Sequence, residues 1–166
     1  MLRISVMIAL VIALACGGQK CLAQRGEATF GIQTGYTSTN SSALAGLFFQ
    51  YNLSGRLRIA PQAGCVFRNE GLDAFQADVN LHFPLKFTPD RAQLYPIVGL
   101  DFSSWTRHNE VEERDATNRY SRLGGNAGIG FQFKPTSSLK LKAEGVYTVM
   151  KQYSTFAITF GIGYIF

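Results

Sequence analysis

Ionisable side chains recur at alternating positions in several segments of this 166-residue chain. Lys140, Lys142 and Glu144, for example, follow one another at every second position, with apolar residues between them. In a β-strand such residues share one face, so the charges of neighbouring strands would meet on one side of a sheet. Buried charges must pair, and we therefore predict an ion network in which Asp78, Asp101 and Glu144 neutralise nearby Arg and Lys. Its predicted members are Arg56, Arg58, Arg68, Asp78, His82, Asp101, Arg122, Lys140, Lys142 and Glu144.

Eight segments of alternating apolar and polar residues carry these groups. They span Thr29 to Thr37, Ala43 to Leu53, Arg56 to Arg68, Ala74 to Phe83, Leu94 to Trp105, Tyr120 to Lys134, Leu139 to Val149 and Thr155 to Phe166. In the last segment Phe160, Ile162 and Tyr164 alternate with small residues, so one strand face is apolar and the other carries Thr, Ala and Gly. A water-soluble strand would be expected to carry charges on its outer face. We therefore predict that the apolar face contacts lipid.

The segment from Leu94 to Trp105 is ambiguous in phase. Tyr95 and Ile97 share the parity of Asp101, whereas the apolar residues that follow them take the opposite parity. A β-bulge near Pro96 or Gly99 would reconcile the two halves.

The composition is typical of a membrane β-protein. Charged residues make up 16% of the chain and aromatic residues 13%, whereas soluble domains average ~25% charged residues. Bacterial barrels have an even number of strands of ~9 to 11 residues. The predicted fold is therefore all-β, an eight-stranded antiparallel up-and-down transmembrane β-barrel. The alternative is a secreted lipocalin-like barrel, which would turn the apolar face inward around a ligand.

The first 23 residues are predicted to be a secretory signal, because Arg3 precedes an apolar run and Ala23 offers a small residue for cleavage. Residues 24–166 would then form one barrel domain without a transmembrane helix. As an alternative, Cys16 would be a lipidated N-terminus.

Removal of this signal changes the charge and the cysteine content. The net charge falls from +5 to +3 because Arg3 and Lys20 are lost, and this balance gives no support to nucleic-acid binding. Cys65 would be the one remaining cysteine, and on the lipid parity it is most simply a small hydrophobe.

The longest connection between the predicted strands runs from Thr106 to Arg119. An N-terminus exported to the periplasm places both termini there and this connection at the cell surface. Its charged residues are Arg107, His108, Glu110, Glu112, Glu113, Arg114, Asp115 and Arg119. They either contact lipopolysaccharide phosphates, a host protein or neighbouring cells, or simply keep a solvated loop out of the membrane. The acidic residues lack the spacing of a calcium loop, so we predict no metal site.

The chain resembles the small outer-membrane β-barrel family of Gram-negative bacteria, the OmpA-barrel and OmpX type. Its C-terminal residues are similar to the family's C-terminal strand signal, which the resemblance implies is read by the barrel-assembly machinery. The residues of this signal are Phe160, Ile162, Tyr164 and Phe166. The sequence Ala23-Gln24 is similar to Bacteroidetes export signals. No fixed catalytic or binding motif comes with the resemblance.

Eight-stranded outer-membrane barrels that acylate or deacylate lipid A make an enzyme the alternative function. Such chemistry needs a nucleophile and a base within hydrogen-bond reach. The two histidines are His82, predicted to be a hydrogen-bonded interior imidazole, and His108, which has only Ser103 and Ser104 nearby. We therefore predict no enzymatic activity, no catalytic residue and no cofactor.

The sequence thus predicts a bacterial outer-membrane barrel with a filled polar lumen and a structural or cell-surface interaction role. Eight strands enclose a space that side chains just fill, which argues against a large-pore channel. A small passive pore is a further alternative. The predicted partners are outer-membrane lipid, lipopolysaccharide, the barrel-assembly machinery and an extracellular protein or cell surface, with no nucleic acid.

Overall fold

The computed structural model describes residues 26–38, 41–69, 72–86, 91–107, 118–151 and 153–166. Within these ranges only the backbone is described at positions 68, 69, 72, 86, 107, 118–120 and 153. The strands are β1 (Ala28–Thr37), β2 (Ser42–Asn52), β3 (Arg58–Asn69), β4 (Leu72–His82), β5 (Leu85–Lys86), β6 (Ala92–Arg107), β7 (Asn118–Phe133), β8 (Leu139–Met150) and β9 (Tyr153–Ile165). The predicted signal and Cys16 lie outside the described residues.

The described strands close into an antiparallel barrel. Eight long strands pair in sequence order, β1 also pairs with β9, and β4 pairs with β6. The two-residue strand β5 only adds a short extension beside the start of β6. Closure leaves no long strand with an open edge, so every ladder is satisfied within the sheet. The predicted eight-stranded all-β barrel is confirmed.

The apolar faces of the strands point out of the barrel. In β9, Phe160 is 59% exposed whereas Thr159 is 7% exposed, and in β7 Leu123 is 75% exposed. Polar residues dominate the buried set, which includes Arg58, Lys140 and other charged groups. The lipocalin-like alternative is therefore wrong, because the apolar stripes do not converge on a common centre.

Strand β6 runs without the bulge that its phase suggested. Its pairing with β7 is continuous from Ala92 to Arg107, and its pairing with β4 has no shift either. Tyr95 and Ile97 instead point into the barrel, at 0% and 1% exposure. The apparent phase conflict arose because large apolar side chains can also lie inside the barrel.

Glycines on other strands make room for the interior aromatic rings. A Cβ atom added at Gly161 or Gly163 would lie 2.9 Å from ring atoms of Phe48, and one added at Gly130 would overlap the Tyr95 ring. Glycine is the residue that permits such a close approach within a strand. The small residues on the inward face of β9 thus complement the bulky side chains that face them.

The two ends of the barrel differ. We call the end that holds Ala28 and Phe166 the terminus end, and the opposite end, where β6 and β7 extend furthest, the loop end. At the terminus end the backbones of Ala28 and Phe166 exchange two hydrogen bonds, of 3.2 and 3.0 Å. In the part of the chain that is described, no helix has the length and apolar character needed to cross a membrane.

Candidate functional site in the barrel interior

A buried ion pair lies in the half of the interior nearest the terminus end. Lys142 Nζ donates to Glu144 Oε2 at 2.8 Å, and each side chain is 1% exposed. Tyr95 donates its hydroxyl hydrogen to Glu144 Oε1 at 2.8 Å. Lys142 Nζ also lies 4.1 Å from the centre of the Phe48 ring. Inside the barrel, these contacts compensate both charges for the loss of water.

The guanidinium of Arg58 is held by side-chain amides rather than by a carboxylate. Its Nε donates to Asn52 Oδ1 at 2.7 Å, and its Nη1 donates to Gln132 Oε1. Gln132 in turn donates to Gln93 Oε1 at 2.8 Å. The guanidinium carbon lies 5.7 Å from the centre of the Tyr95 ring. Arg58 therefore organises a polar layer that spans several strands.

His82 stacks on Tyr95, with ring centres 4.7 Å apart. Neither of its ring nitrogens has a hydrogen-bond partner, although Nε2 lies 4.0 Å from Glu144 Oε1. The prediction of a hydrogen-bonded imidazole is therefore wrong. Stacking against an aromatic ring holds this side chain, and residue alternation cannot reveal such a contact.

Glu27 connects the segment before β1 to two lysines across the barrel mouth. Its carboxylate accepts hydrogen bonds from Lys134 and, at 3.1 Å, from Lys140. Lys140 also donates to Thr29 Oγ1 at 2.7 Å. Burial raises the pKa of the Glu27 carboxyl, but the Lys134 hydrogen bond and the Lys140 charge outweigh burial, so the pKa lies below its usual value. The N-terminal segment is thereby fastened to β8 and to the turn before it.

Because the folded pKa of Glu27 lies below the unfolded one, its carboxylate adds stability above its ordinary pKa. This stability is lost as the pH falls through the folded pKa. We expect Glu27→Gln to lower the free energy of unfolding by about 1–3 kcal/mol at neutral pH and to make it less dependent on pH in the acid range. Denaturant titrations of the wild type and Glu27→Gln, from neutral pH into the acid range, measure both free energies of unfolding. Parallel pH profiles would contradict it.

The middle of the interior carries two carboxyl groups that face each other. Asp78 and Asp101 are direct partners in the register of β4 and β6. Asp78 accepts from Gln62 Nε2 at 3.0 Å and from Asn126 Nδ2 at 2.9 Å, and Asp101 accepts from Ser103 Oγ at 2.6 Å. Among the described side chains, no Lys or Arg forms an ion pair with either one. Within the described residues, amide and hydroxyl donors rather than Arg or Lys bond to these two carboxyl groups.

Apolar side chains take over toward the loop end. Leu44, Val66 and Ala74 form a buried cluster inside the barrel, with Trp105 and Ala157 packed against it. Between this cluster and the middle of the interior lies a cavity of about 40 Å³. Asp78 and Asp101 are among the residues that line it. The interior thus carries charged and amide side chains from the terminus end to the middle, and apolar side chains toward the loop end.

The remaining predicted site residues are spread over different environments. Arg56 is half-buried in the turn before β3, and Arg122 is exposed on the inward parity of β7. The backbones of Arg68, Arg107 and Arg119 belong to described strands, but their side chains are not described. His108, Glu110, Glu112, Glu113, Arg114 and Asp115 lie outside the described residues. All four residues of the predicted C-terminal signal are exposed on the outer face: Phe160, Ile162, Tyr164 and Phe166.

Several interior residues were missed at the level of sequence. Glu27 precedes the first alternating segment, so periodicity gave no signal for it. Tyr95 and Phe48 look like lipid-facing residues by type, and only their parity identifies them as interior. The amides of Gln50, Gln93 and Gln132 lie on the inward parity, and this was the available signal for a hydrogen-bonding role.

A closed barrel with apolar residues outside and ionic residues inside defines a transmembrane β-barrel. The chain belongs to the family of the outer membrane protein beta-barrel domain, which matches residues 9–166. It is therefore an outer-membrane protein in contact with the lipid of that membrane. No curated protein matches its sequence.

Solved structures similar to this chain share its fold at low sequence identity. The N-terminal β-barrel domain of Pseudomonas aeruginosa OprF is 15% identical with a TM-score of 0.73, over 86% of this chain and 98% of that one. Neisserial surface protein A is 10% identical with a TM-score of 0.66, over 84% and 96%. The attachment invasion locus protein Ail of Yersinia pestis is 15% identical with a TM-score of 0.63, over 86% and 100%.

Proposed function

We propose that this protein is an outer-membrane barrel with a closed, non-conducting interior and a structural and cell-surface interaction role. The observation that carries the proposal is the interior itself. Ionic and amide side chains bond to one another inside the barrel, Lys142 with Glu144 along β8 and Arg58 with Gln132 across the interior. An apolar cluster follows toward the loop end. An interior filled by bonded side chains in the described residues favours a scaffold over a passive pore.

The proposed orientation places the terminus end in the periplasm and the loop end at the cell surface. Short turns join the strands at the terminus end, including 53–57 and 134–138, whereas β6 and β7 are the two longest strands and extend at the loop end. Outer-membrane barrels have short periplasmic turns and longer extracellular loops. The charged connection between β6 and β7 would then meet lipopolysaccharide or an extracellular protein or cell surface. In the same proposal the exposed stripe of β9 is recognised by the barrel-assembly machinery.

A catalytic role is not part of the proposal. His82 is 1% exposed within the barrel, where a lipid substrate has no access to it. Neither ring nitrogen has a hydrogen-bond partner among the described residues. General-base chemistry requires hydrogen-bond reach to the group that loses the proton.

Deleting residues 109–118 tests the function. We expect the deletion to reduce adhesion or serum survival while envelope integrity stays intact, because only the surface connection is lost. A matched variant keeps the loop length but replaces Glu110, Glu112 and Glu113 with Gln, and it shows whether charge or length matters. The deletion variant, the Gln variant and the wild type are also reconstituted in planar bilayers, where we expect no large stable conductance.

Two results would contradict the proposal. Unchanged adhesion, serum survival and envelope integrity after the deletion would remove the surface-contact role. Large, stable conductance steps from the wild-type protein would show that the interior conducts. Heat-dependent mobility on gels confirms beforehand that each variant folds.

A further inference from the structure

We propose that the middle of the barrel interior binds one calcium ion between Asp78, Asp101 and Gln33. All three residues line the cavity of about 40 Å³. A cavity of this size holds an ion or a small number of water molecules. The site is separate from the ion pairs at the terminus end and does not depend on the proposed surface role.

The first argument concerns charge. Asp78 and Asp101 stand directly opposite each other in the β4–β6 register, and no described Lys or Arg side chain forms an ion pair with either. The two carboxyl groups lie within hydrogen-bond reach of each other, and they would repel strongly if both were ionised in this poorly solvated interior. A divalent cation between them would remove the repulsion and compensate both charges.

The second argument concerns an oxygen atom that lacks a donor. Asp78 can only accept when ionised, so Gln62 must turn its Nε2 toward it, at 3.0 Å. The Oε1 atom of Gln62 then accepts from Gln33 Nε2 at 3.2 Å. This order of donors leaves Gln33 Oε1 buried without any hydrogen-bond partner. Gln33 is 7% exposed and lines the cavity, where its free oxygen suits a cation.

The chemistry of the lining favours calcium. Carboxylate, amide and hydroxyl oxygens are the ligands that Ca²⁺ prefers, and Thr148, Thr155 and Thr159 also line the cavity. Mg²⁺ demands near-ideal octahedral geometry, whereas Ca²⁺ tolerates the irregular sets of oxygen ligands that separate strands provide. Among the described residues there is no cluster of three or more His, Cys, Asp or Glu around one position. With only two carboxylates, we expect a dissociation constant of about 10⁻⁴ to 10⁻³ M.

Calorimetric titration of CaCl₂ into the protein, folded in a zwitterionic detergent, tests the site. We expect one equivalent of Ca²⁺ to bind, at least about tenfold more tightly than Mg²⁺. Asp101→Asn should weaken Ca²⁺ binding at least about tenfold, because it removes one of the two ligand charges. Glu112→Gln is the matched control, since it removes one carboxylate from the predicted surface loop. It should bind Ca²⁺ as the wild type does.

Resistance to denaturant supplies a second readout, in which Asp101→Asn should exceed the wild type without Ca²⁺ but should not gain from added Ca²⁺. Without Ca²⁺, in a chelator, Asp101→Asn should unfold at a higher denaturant concentration than the wild type, because the like-charge repulsion is gone. With ~10 mM Ca²⁺ the wild type should gain resistance and the variant should not. Absence of saturable Ca²⁺ binding to the wild type would overturn the proposal, and point to a proton or water between the carboxyl groups. Wild-type affinity in Asp101→Asn, or loss of binding in Glu112→Gln, would overturn it too.

Discussion

Replacing Glu144 with glutamine is expected to lower the free energy of unfolding by about 3–5 kcal/mol, the cost of leaving a buried charge without its partner. Lys142 Nζ donates to Glu144 at 2.8 Å, and both side chains are 1% exposed. The substitution also replaces the charged acceptor of the Tyr95 hydroxyl. Equilibrium unfolding in denaturant, with the protein refolded into bilayers, measures the loss.

The double variant Lys142→Met/Glu144→Leu separates charge from packing. Replacing both members of a buried pair with apolar residues is often neutral or stabilising. We therefore expect the double variant to be more stable than Glu144→Gln alone, although it carries more substitutions. A single variant as stable as the wild type would show that Lys142 does not depend on Glu144, and would contradict the interior ion pair.

Introducing arginine at Ile32 is expected to cost about 2–4 kcal/mol in bilayers, because the side chain would enter hydrocarbon near the midplane. Ile32 lies in the centre of β1, is 59% exposed, and pairs with Leu47 and Ile162 on the same outer face. In a soluble barrel the same exposed position would tolerate arginine with little loss. The free energy of unfolding in phospholipid vesicles distinguishes these cases.

Leu123→Arg is the matched control for depth. Leu123 is more exposed than Ile32 but lies toward the loop end of β7, so its arginine can reach the membrane interface. The expected cost there is about 0–1 kcal/mol. Equal costs at both positions would contradict a hydrocarbon layer centred on the middle of the strands.

The residues that share a strand face were predictable from sequence, because side chains alternate with a period of two in any strand, and the scarcity of charges on several polar faces indicated that the apolar face was the outer one. This rule placed Phe160 outside and Lys140 inside. Uninterrupted alternation also puts Tyr95 on the inner face, but its residue type argued for the lipid side, and a bulge near Pro96 or Gly99 was the predicted reconciliation. Where parity and residue type disagreed, parity was correct, since a bulge would have interrupted the ladders on both sides of β6.

The partners inside the barrel were not predictable, because alternation assigns a face but not a height along the axis. Asp78 and Asp101 lie in the middle layer, whereas Lys142 lies nearer the terminus end and pairs with Glu144 on its own strand. The height of each residue depends on the register between strands, which the sequence pattern does not specify. Glu27 was missed for a related reason, because it precedes the first alternating segment.

The central claim is that hydrocarbon contacts the outer face of the sheet while ionic groups lie inside. Cys65 tests it directly, because it is exposed on the outer face of β3 and is the single cysteine in 24–166. With a nitroxide label on Cys65 in bilayers, we predict more frequent collisions with oxygen than with a water-soluble nickel chelate. A label at Thr136→Cys in a Cys65→Ser background marks a turn in water and should show the reverse. Nickel accessibility at Cys65 equal to that at position 136 would contradict the account.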